Sequence, residues 1–180
     1  MELAGKRIAL LVAQDFEDSE ALYPYYRLQE AGAEVAIVGV GGTPVVASKH
    51  SYPLTIDHAV EDVEADAFDG LIIPGGYSPD RVRASQPALD LVRRMDDAGK
   101  PIAAICHAGW VLISARIISG RRATCYHTIK DDLVNAGALY EDSEVVVDGN
   151  LVTARQPADL PAFCRELIAS FSRQSEVIEV

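Results

Sequence analysis

Short apolar runs recur along the chain and are separated by stretches whose apolar residues have helical spacing. The runs span residues 6–13, 34–40, 69–76 and 101–106, and each resembles a strand that is buried on both faces. Strands that alternate with helices favour a mainly parallel sheet covered by helices on both sides. The pattern therefore predicts an α/β fold in which residues 1–180 form a single domain.

The segments between these strands contain signals that start and stop helices. Helices are predicted at residues 19–31, 85–98 and 128–136, and a last helix is predicted to follow a cap at Asp159. Pro24 lies inside the first of them and predicts a kink or a later start, because proline has no backbone N–H to donate. Residues 144–154 flank a turn and predict a hairpin, whereas residues 45–68 predict only short strands and loops.

The charge of the chain excludes two classes of partner. Lys and Arg number 16 against 27 Asp and Glu, so the formal net charge is −11. A nucleic-acid scaffold needs a basic surface that releases counterions, and an anionic membrane also attracts basic segments. No apolar run approaches the roughly 20 residues of a membrane span, and the N-terminus becomes acidic too early for a signal peptide. We therefore expect a cytoplasmic protein without a membrane partner.

The cysteines and histidines do not form a pattern typical of disulfides or metal sites. Cys106, Cys125 and Cys164 are odd in number and lack C-x-x-C spacing, which does not fit a disulfide framework. The four histidines show no metal-ligand spacing. We expect no metal and no cofactor, and we interpret Cys125 and Cys164 as buried core residues.

Residues 102–115 are the most informative segment, because an apolar strand ends there on Cys106 and a predicted helix follows at once. This order is typical of a nucleophile elbow with a thiol in place of the hydroxyl. A place at the start of a helix would lower the pKa of the thiol. The backbone N–H groups of His107 and Gly76 could form an oxyanion hole. The alternative is that Cys106 is a small buried apolar residue, as free cysteine commonly is.

Three further polar residues near the strand ends each allow two interpretations. His107 directly follows the cysteine and such a residue usually points elsewhere, although an imidazole near the sulfur could act as a base. Glu17 could hydrogen-bond the thiol and move protons, or it could be one of several solvated acids before a helix. Asp80 could border the cleft or cap a short helix.

Five colinear segments carry a resemblance to a known family. They are residues 15–32, 71–83, 102–115, 129–138 and 145–163. Together they resemble the PfpI-type intracellular cysteine peptidase and protein deglycase family, within the class I glutamine-amidotransferase-like superfamily. The resemblance implies a flavodoxin-like three-layer sandwich with a mainly parallel sheet and a nucleophile elbow.

The resemblance also implies roles for individual residues. Cys106 would be the nucleophile, Glu17 the carboxyl that contacts it, and the N–H groups of Gly76 and His107 the oxyanion hole. In members of this kind an acid from a neighbouring subunit orients the histidine beside the cysteine, and Asp80 matches that position. The catalytic unit would then be a homo-oligomer, either a dimer or a hexamer.

The pocket is expected to involve Gly75, Tyr126 and Trp110. The family usually continues after Cys-His with Gly-Pro, whereas this chain has Ala108-Gly109-Trp110. A methyl group and a large ring near the elbow imply an altered pocket, so the choice of substrate is the property most affected.

Three functions from different classes follow from these residues. The first is a stress-response enzyme of the deglycase or glyoxalase type that acts on reactive carbonyls, either methylglyoxal and glyoxal or glycated proteins. Such an enzyme would need no cofactor. The second is an intracellular cysteine peptidase. The third is a non-enzymatic redox sensor or chaperone whose cysteine is oxidised.

Overall fold

The computed structural model describes residues 1–173 and contains eleven strands. The strands are β1 (Arg7–Val12), β2 (Glu34–Gly39), β3 (Val45–Ala47), β4 (Pro53–Thr55), β5 (His58–Ala59), β6 (Gly70–Ile73), β7 (Ile102–Ile105), β8 (Arg122–Ala123), β9 (Leu139–Tyr140), β10 (Val145–Asp148) and β11 (Leu151–Ala154). The four apolar runs of the sequence coincide with β1, β2, β6 and β7, which confirms that they are buried strands.

Seven strands form the central sheet in the order β10-β11-β7-β6-β1-β2-β5. The neighbours from β11 to β5 are parallel, and only β10 runs antiparallel, as the second arm of the predicted hairpin. This hairpin closes with Asp148 paired to Leu151. The segment at 45–68 contributes the small β3-β4 pair and β5, as predicted, whereas the β8-β9 pair was not predicted.

Six helices cover the sheet: α1 (Asp18–Glu30), α2 (Ser78–Arg83), α3 (Gln86–Asp97), α4 (Gly109–Ala115), α5 (Lys130–Asn135) and α6 (Leu160–Arg173). Two apolar clusters lie on opposite faces of the sheet. One contains buried residues of α2, α3 and α4, and the other contains those of α1 and α6. The arrangement confirms an α/β fold with three layers. None of the helices between residues 1 and 173 is long and apolar enough to cross a membrane.

One expectation about a helix end differs from the structure. Helix α1 begins at Asp18 and continues through Pro24, so the later start predicted from the proline does not occur. Helix α6 begins at Leu160, directly after Asp159 as predicted, and the Asp159 carboxylate accepts hydrogen bonds from the backbone and side chain of Arg155. The chain order places the ends of β6 and β7 and the start of α1 at one edge of the sheet, where ligands bind in folds of this class.

Candidate active site

A pocket of about 260 Å³ opens at this edge of the sheet. It brings together residues from the start of α1 and from the segments that follow β3, β6, β7, β8 and β11. The lining residues are Glu17, Glu20, Lys49, Gly76, Tyr77, Cys106, His107, Tyr126 and Pro157. The pocket therefore combines a thiol, an imidazole, two carboxyl groups and an ammonium group.

Cys106 occupies the turn that directly follows β7. Its φ is 63°, in the left-handed region that residues with a side chain seldom adopt. The chain then passes through one turn of 3₁₀ helix, Cys106–Ala108, into α4. The backbone N–H groups of His107 and Gly76 act on the sulfur and lower the pKa of the thiol. The geometry of Cys106 is that of the predicted elbow.

Gly75 is required beneath the sulfur because no side chain fits there. A Cβ atom at this position would lie 2.4 Å from Glu20 Oε2 and 2.7 Å from Cys106 Cβ, and 3.2 Å from Cys106 Sγ. The carboxyl and the thiol thus lie against the same small residue. Gly76 has a φ of 77°, and its Cβ would lie 2.5 Å from the backbone nitrogen of Glu17.

The carboxyl beside the thiol belongs to Glu20, so the contact predicted for Glu17 is wrong. Glu20 is fully buried on the inner face of α1, and its Oε2 accepts a hydrogen bond of 2.9 Å from the Gly75 N–H. Glu17 lies just before the helix and forms an ion pair with Lys49 at the pocket. The prediction chose the wrong acid near the start of α1, because it is Glu20 that lies on the same face of the helix as the buried residues Pro24 and Leu28.

Glu20 has a high affinity for a proton. Burial raises its pKa to about 7, and the negative charge of Glu17 adds to this effect, although the Gly75 N–H opposes it. Its Oε1 is buried without a hydrogen-bond partner in the described part of the chain. A protonated carboxyl in this place avoids the cost of an unsolvated charge.

The thiol is also shifted toward its neutral form. Burial raises the pKa of Cys106, and the charge of Glu20 raises it further, whereas the N–H groups of His107 and Gly76 lower it. The prediction of a lowered thiol pKa is therefore wrong for this chain. The reason is that the sulfur is largely removed from water and that helix α4 begins only at Gly109, three residues later.

His107 points back toward the cysteine that precedes it. Its Nδ1 lies 3.2 Å from Cys106 Sγ, and its Nε2 lies 3.3 Å from Thr128 Oγ1. Burial lowers the pKa of the imidazole, and the positive charges of Lys49 and His127 lower it further. The ring is therefore held neutral and close enough to accept the thiol proton.

The remaining predicted site residues lie in three different environments. Tyr126 lines the pocket, as predicted. Trp110 does not line it and packs instead against the ring of His107, at 5.1 Å between centroids, so its predicted place in the pocket is wrong. Asp80 is exposed in the first turn of α2, and within residues 1–173 it forms no hydrogen bond with His107. Cys125 and Cys164 are free and buried, as expected for core residues.

Besides Glu20, four residues near the reacting atoms were missed in the sequence. Lys49, Tyr77, Pro157 and Thr128 lie in loops or short turns that reach the site from distant parts of the chain. No local pattern marks such positions. The missed Glu20 did have a signal, because it occupies the apolar face of a predicted helix.

One group of side chains has the composition of a metal site. Ligand atoms of Glu17, Asp18 and His50 all lie within 4.8 Å of one another. These side chains already have partners, however: Glu17 pairs with Lys49, and Asp18 accepts hydrogen bonds from Ser48 and His50. A cation would have to replace those contacts.

Comparison with known proteins now identifies the family. The model of the DJ-1/PfpI family matches residues 6–170, a range that includes every lining residue of the pocket. The chain belongs to the DJ-1/PfpI family.

Several DJ-1/PfpI relatives match almost end to end. A deglycase of Pyrococcus abyssi is 47% identical over 162 residues, which cover 90% of this chain and 97% of the relative. Protein/nucleic acid deglycase 2 of Escherichia coli is 44% identical over 166 residues, covering 91% and 96% of the two chains. YraA of Bacillus subtilis is 44% identical over 162 residues, covering 90% and 96%, and its name assigns it provisionally to the cysteine proteases.

A solved DJ-1/PfpI structure shares the fold. DJ-1beta of Drosophila melanogaster is 31% identical and superposes with a TM-score of 0.87, covering 93% of this chain and 90% of that one. The central sheet and its helices are therefore those of the flavodoxin-like α/β fold, as the resemblance implied.

Proposed function

We propose that this DJ-1/PfpI protein is a cysteine-dependent enzyme that acts on reactive carbonyl compounds. Relatives named as deglycases and as a cysteine protease support deglycase or protease chemistry for the domain. The observation that carries the finer proposal is the surroundings of Cys106 Sγ, which lies 3.2 Å from the Nδ1 atom of His107, while the backbone N–H groups of His107 and Gly76 lower the pKa of the thiol. The preferred substrates are methylglyoxal or glyoxal, or their adducts on proteins.

The first step forms a bond between sulfur and the aldehyde carbon. As the thiol of Cys106 attacks, its proton passes to His107 Nδ1, and the carbonyl π bond becomes an alkoxide. The N–H groups of Gly76 and His107 stabilise that oxygen, which then takes a proton to give a hemithioacetal. A thiol that is neutral at rest suits this route, because the proton leaves only while the new bond forms.

The second step moves a proton between two carbons, and we assign it to Glu20. With methylglyoxal, removal of the proton on the sulfur-bearing carbon and delivery to the neighbouring carbon converts the hemithioacetal into a thioester of lactate. Water then cleaves the thioester, releasing lactate and the thiol. A carboxyl with a pKa of about 7 is suited to accept and return a proton near neutral pH.

The quaternary structure is part of the proposal. Asp80 is exposed on α2 and is free to reach the histidine of a neighbouring copy in a homo-oligomer. A peptidase would depend on such an acid, because within residues 1–173 the second nitrogen of His107 faces a hydroxyl and no carboxylate. We therefore rank peptide hydrolysis second.

The test is lactate formation from methylglyoxal by the purified protein and by Cys106→Ala. Cys164→Ala serves as the matched control, since it removes a buried thiol from α6 and leaves the pocket intact. We expect lactate from the wild type and from Cys164→Ala, and none from Cys106→Ala. Equal rates in all three, or no lactate in any, would contradict the proposal, and peptide substrates and thiol oxidation would then be examined.

A further inference from the structure

The imidazole of His107 contacts several residues of its own chain. One nitrogen faces the Cys106 sulfur and the other faces the Thr128 hydroxyl. The ring of Tyr126 lies 5.1 Å from it at an interplanar angle of 31°, and the ring of Trp110 lies 5.1 Å away at 64°. Both nitrogens and two sides of the ring are thus in contact with fixed groups.

From these contacts we infer that Thr128 is a positioning residue for His107. Its hydroxyl holds Nε2, so that Nδ1 stays directed at the Cys106 thiol. The inference rests on the proposed function only in that His107 is taken as the base for Cys106.

A hydroxyl suits a base that is neutral at rest better than a carboxylate does. A carboxylate at Nε2 favours the imidazolium ion, whereas a hydroxyl can bond either protonation state. When Nδ1 accepts the thiol hydrogen, the ring proton is on Nε2 and is donated to Thr128 Oγ1. When the thiol proton has moved to Nδ1, Nε2 still donates to the same oxygen. The contact therefore persists through the proton transfer.

The segment that carries Thr128 fixes the ring in a second way. Thr128 lies in a turn of 3₁₀ helix, His127–Ile129, that leads directly into α5. In α5, Asp132 accepts a 2.8 Å hydrogen bond from Trp110 Nε1, and the guanidinium of Arg83 lies 5.6 Å from the Trp110 ring centre. One segment thus contacts His107 directly through Thr128 and indirectly through Trp110.

The decisive variants are Thr128→Val, which removes the hydroxyl and keeps the shape, and Thr128→Ser, which keeps the hydroxyl. Thr55→Val is the matched control, because Thr55 is an exposed threonine on β4. The first readout is the rate at which iodoacetamide alkylates Cys106 at pH 7 in the intact protein. We expect about a fivefold slower reaction in Thr128→Val, the effect of losing one hydrogen bond, and rates within twofold of wild type in the other two.

The second readout is the nitrogen chemical shift of the His107 ring, which distinguishes the two neutral tautomers. We expect the proton on Nε2 in the wild type and in Thr128→Ser, and a mixture in Thr128→Val. Wild-type alkylation and ring shifts in Thr128→Val would overturn the inference, and slowing in Asp80→Asn alone would assign Nε2 to a neighbouring subunit's acid. If the wild type makes no lactate but Thr128→Val still slows alkylation, the inference holds and the proposed function fails.

Discussion

The surroundings of the Cys106 sulfur divide by burial into a buried side, Glu20 and Gly75, and an exposed side, His107 and Thr128, which solvent can reach. The buried side is fixed by steric contact and by desolvation, since neither a Cβ at Gly75 nor a full charge at Glu20 is accommodated easily. The exposed side is held by single hydrogen bonds of 3.2 and 3.3 Å and by ring contacts. We therefore expect changes on the buried side to be severe and changes on the exposed side to be graded.

The largest effect is expected from Gly75→Ala. The added methyl group would collide with both Glu20 and Cys106, and overpacking of this kind costs about 3 kcal/mol. We expect a lower melting temperature and loss of Cys106 alkylation. Gly99→Ala is the control, because Gly99 has a φ of 67° with open space around it, so only backbone strain of about 1 kcal/mol is added. Equal decreases in melting temperature and in Cys106 alkylation in the two variants would show that the contact at Gly75 is unimportant.

The next largest effect separates the two carboxyl groups. Glu20→Gln keeps the shape and an acceptor for the Gly75 N–H but cannot transfer a proton, so we expect turnover of methylglyoxal to fall about 100-fold. Glu17→Gln removes the charge that pairs with Lys49 and that adds to the raised pKa of Glu20. It leaves Glu20 in place, and an ion pair near the surface contributes little, so turnover should fall by no more than about threefold. Steady-state kinetics decide between them. A larger fall in turnover in Glu17→Gln than in Glu20→Gln would assign the catalytic role to Glu17.

A third prediction concerns stability and pH. The folded state raises the pKa of Glu20 from 4.5 to about 7, so between these values the folded chain binds a proton that the unfolded chain has released. The free energy of unfolding should therefore be highest below about pH 4.5 for this group and fall by at most about 3 kcal/mol as pH rises to 7. Urea unfolding at pH 5 and pH 8 measures the fall, and Glu20→Gln should reduce it. An unchanged difference in the variant would contradict the burial of an ionisable Glu20.

The smallest effect tests the exposed side. Lys49 is one of the groups that lower the pKa of His107, so Lys49→Met should raise that pKa while the fold is kept. The ring-proton resonance of His107, followed by NMR over a pH series, reports the change. A constant or lower pKa would mean that the ammonium group does not act on the imidazole.

The comparison also explains which parts of the site could be predicted. The elbow at Cys106 was predictable, because a strand, a cysteine and a helix in immediate succession leave the chain little choice of path. Glu20 was missed although it lies only three residues from Glu17. Composition does not indicate which acid of a helix start faces inward, whereas the apolar face that Glu20 shares with Pro24 and Leu28 does. Lys49 and Thr128 depend on how β3, β4 and α5 pack, and such long-range contacts leave no local pattern.

For the fold, too, the elements with a local sequence pattern were predicted and those that depend on distant contacts were not. Runs buried on both faces, such as β1 and β7, were predicted closely because every residue in them is apolar. The two-residue strands β8 and β9 were not predicted, because so short a pairing is set by its surroundings.

The packing of Trp110 against His107 has an optical consequence. Trp110 is the single tryptophan of the chain, so all indole emission of the protein arises 5.1 Å from the imidazole. A protonated imidazole quenches a neighbouring indole more strongly than a neutral one. We therefore expect the intensity of the intrinsic fluorescence to fall as His107 takes up a proton, so that the unlabelled protein reports the protonation state of this ring.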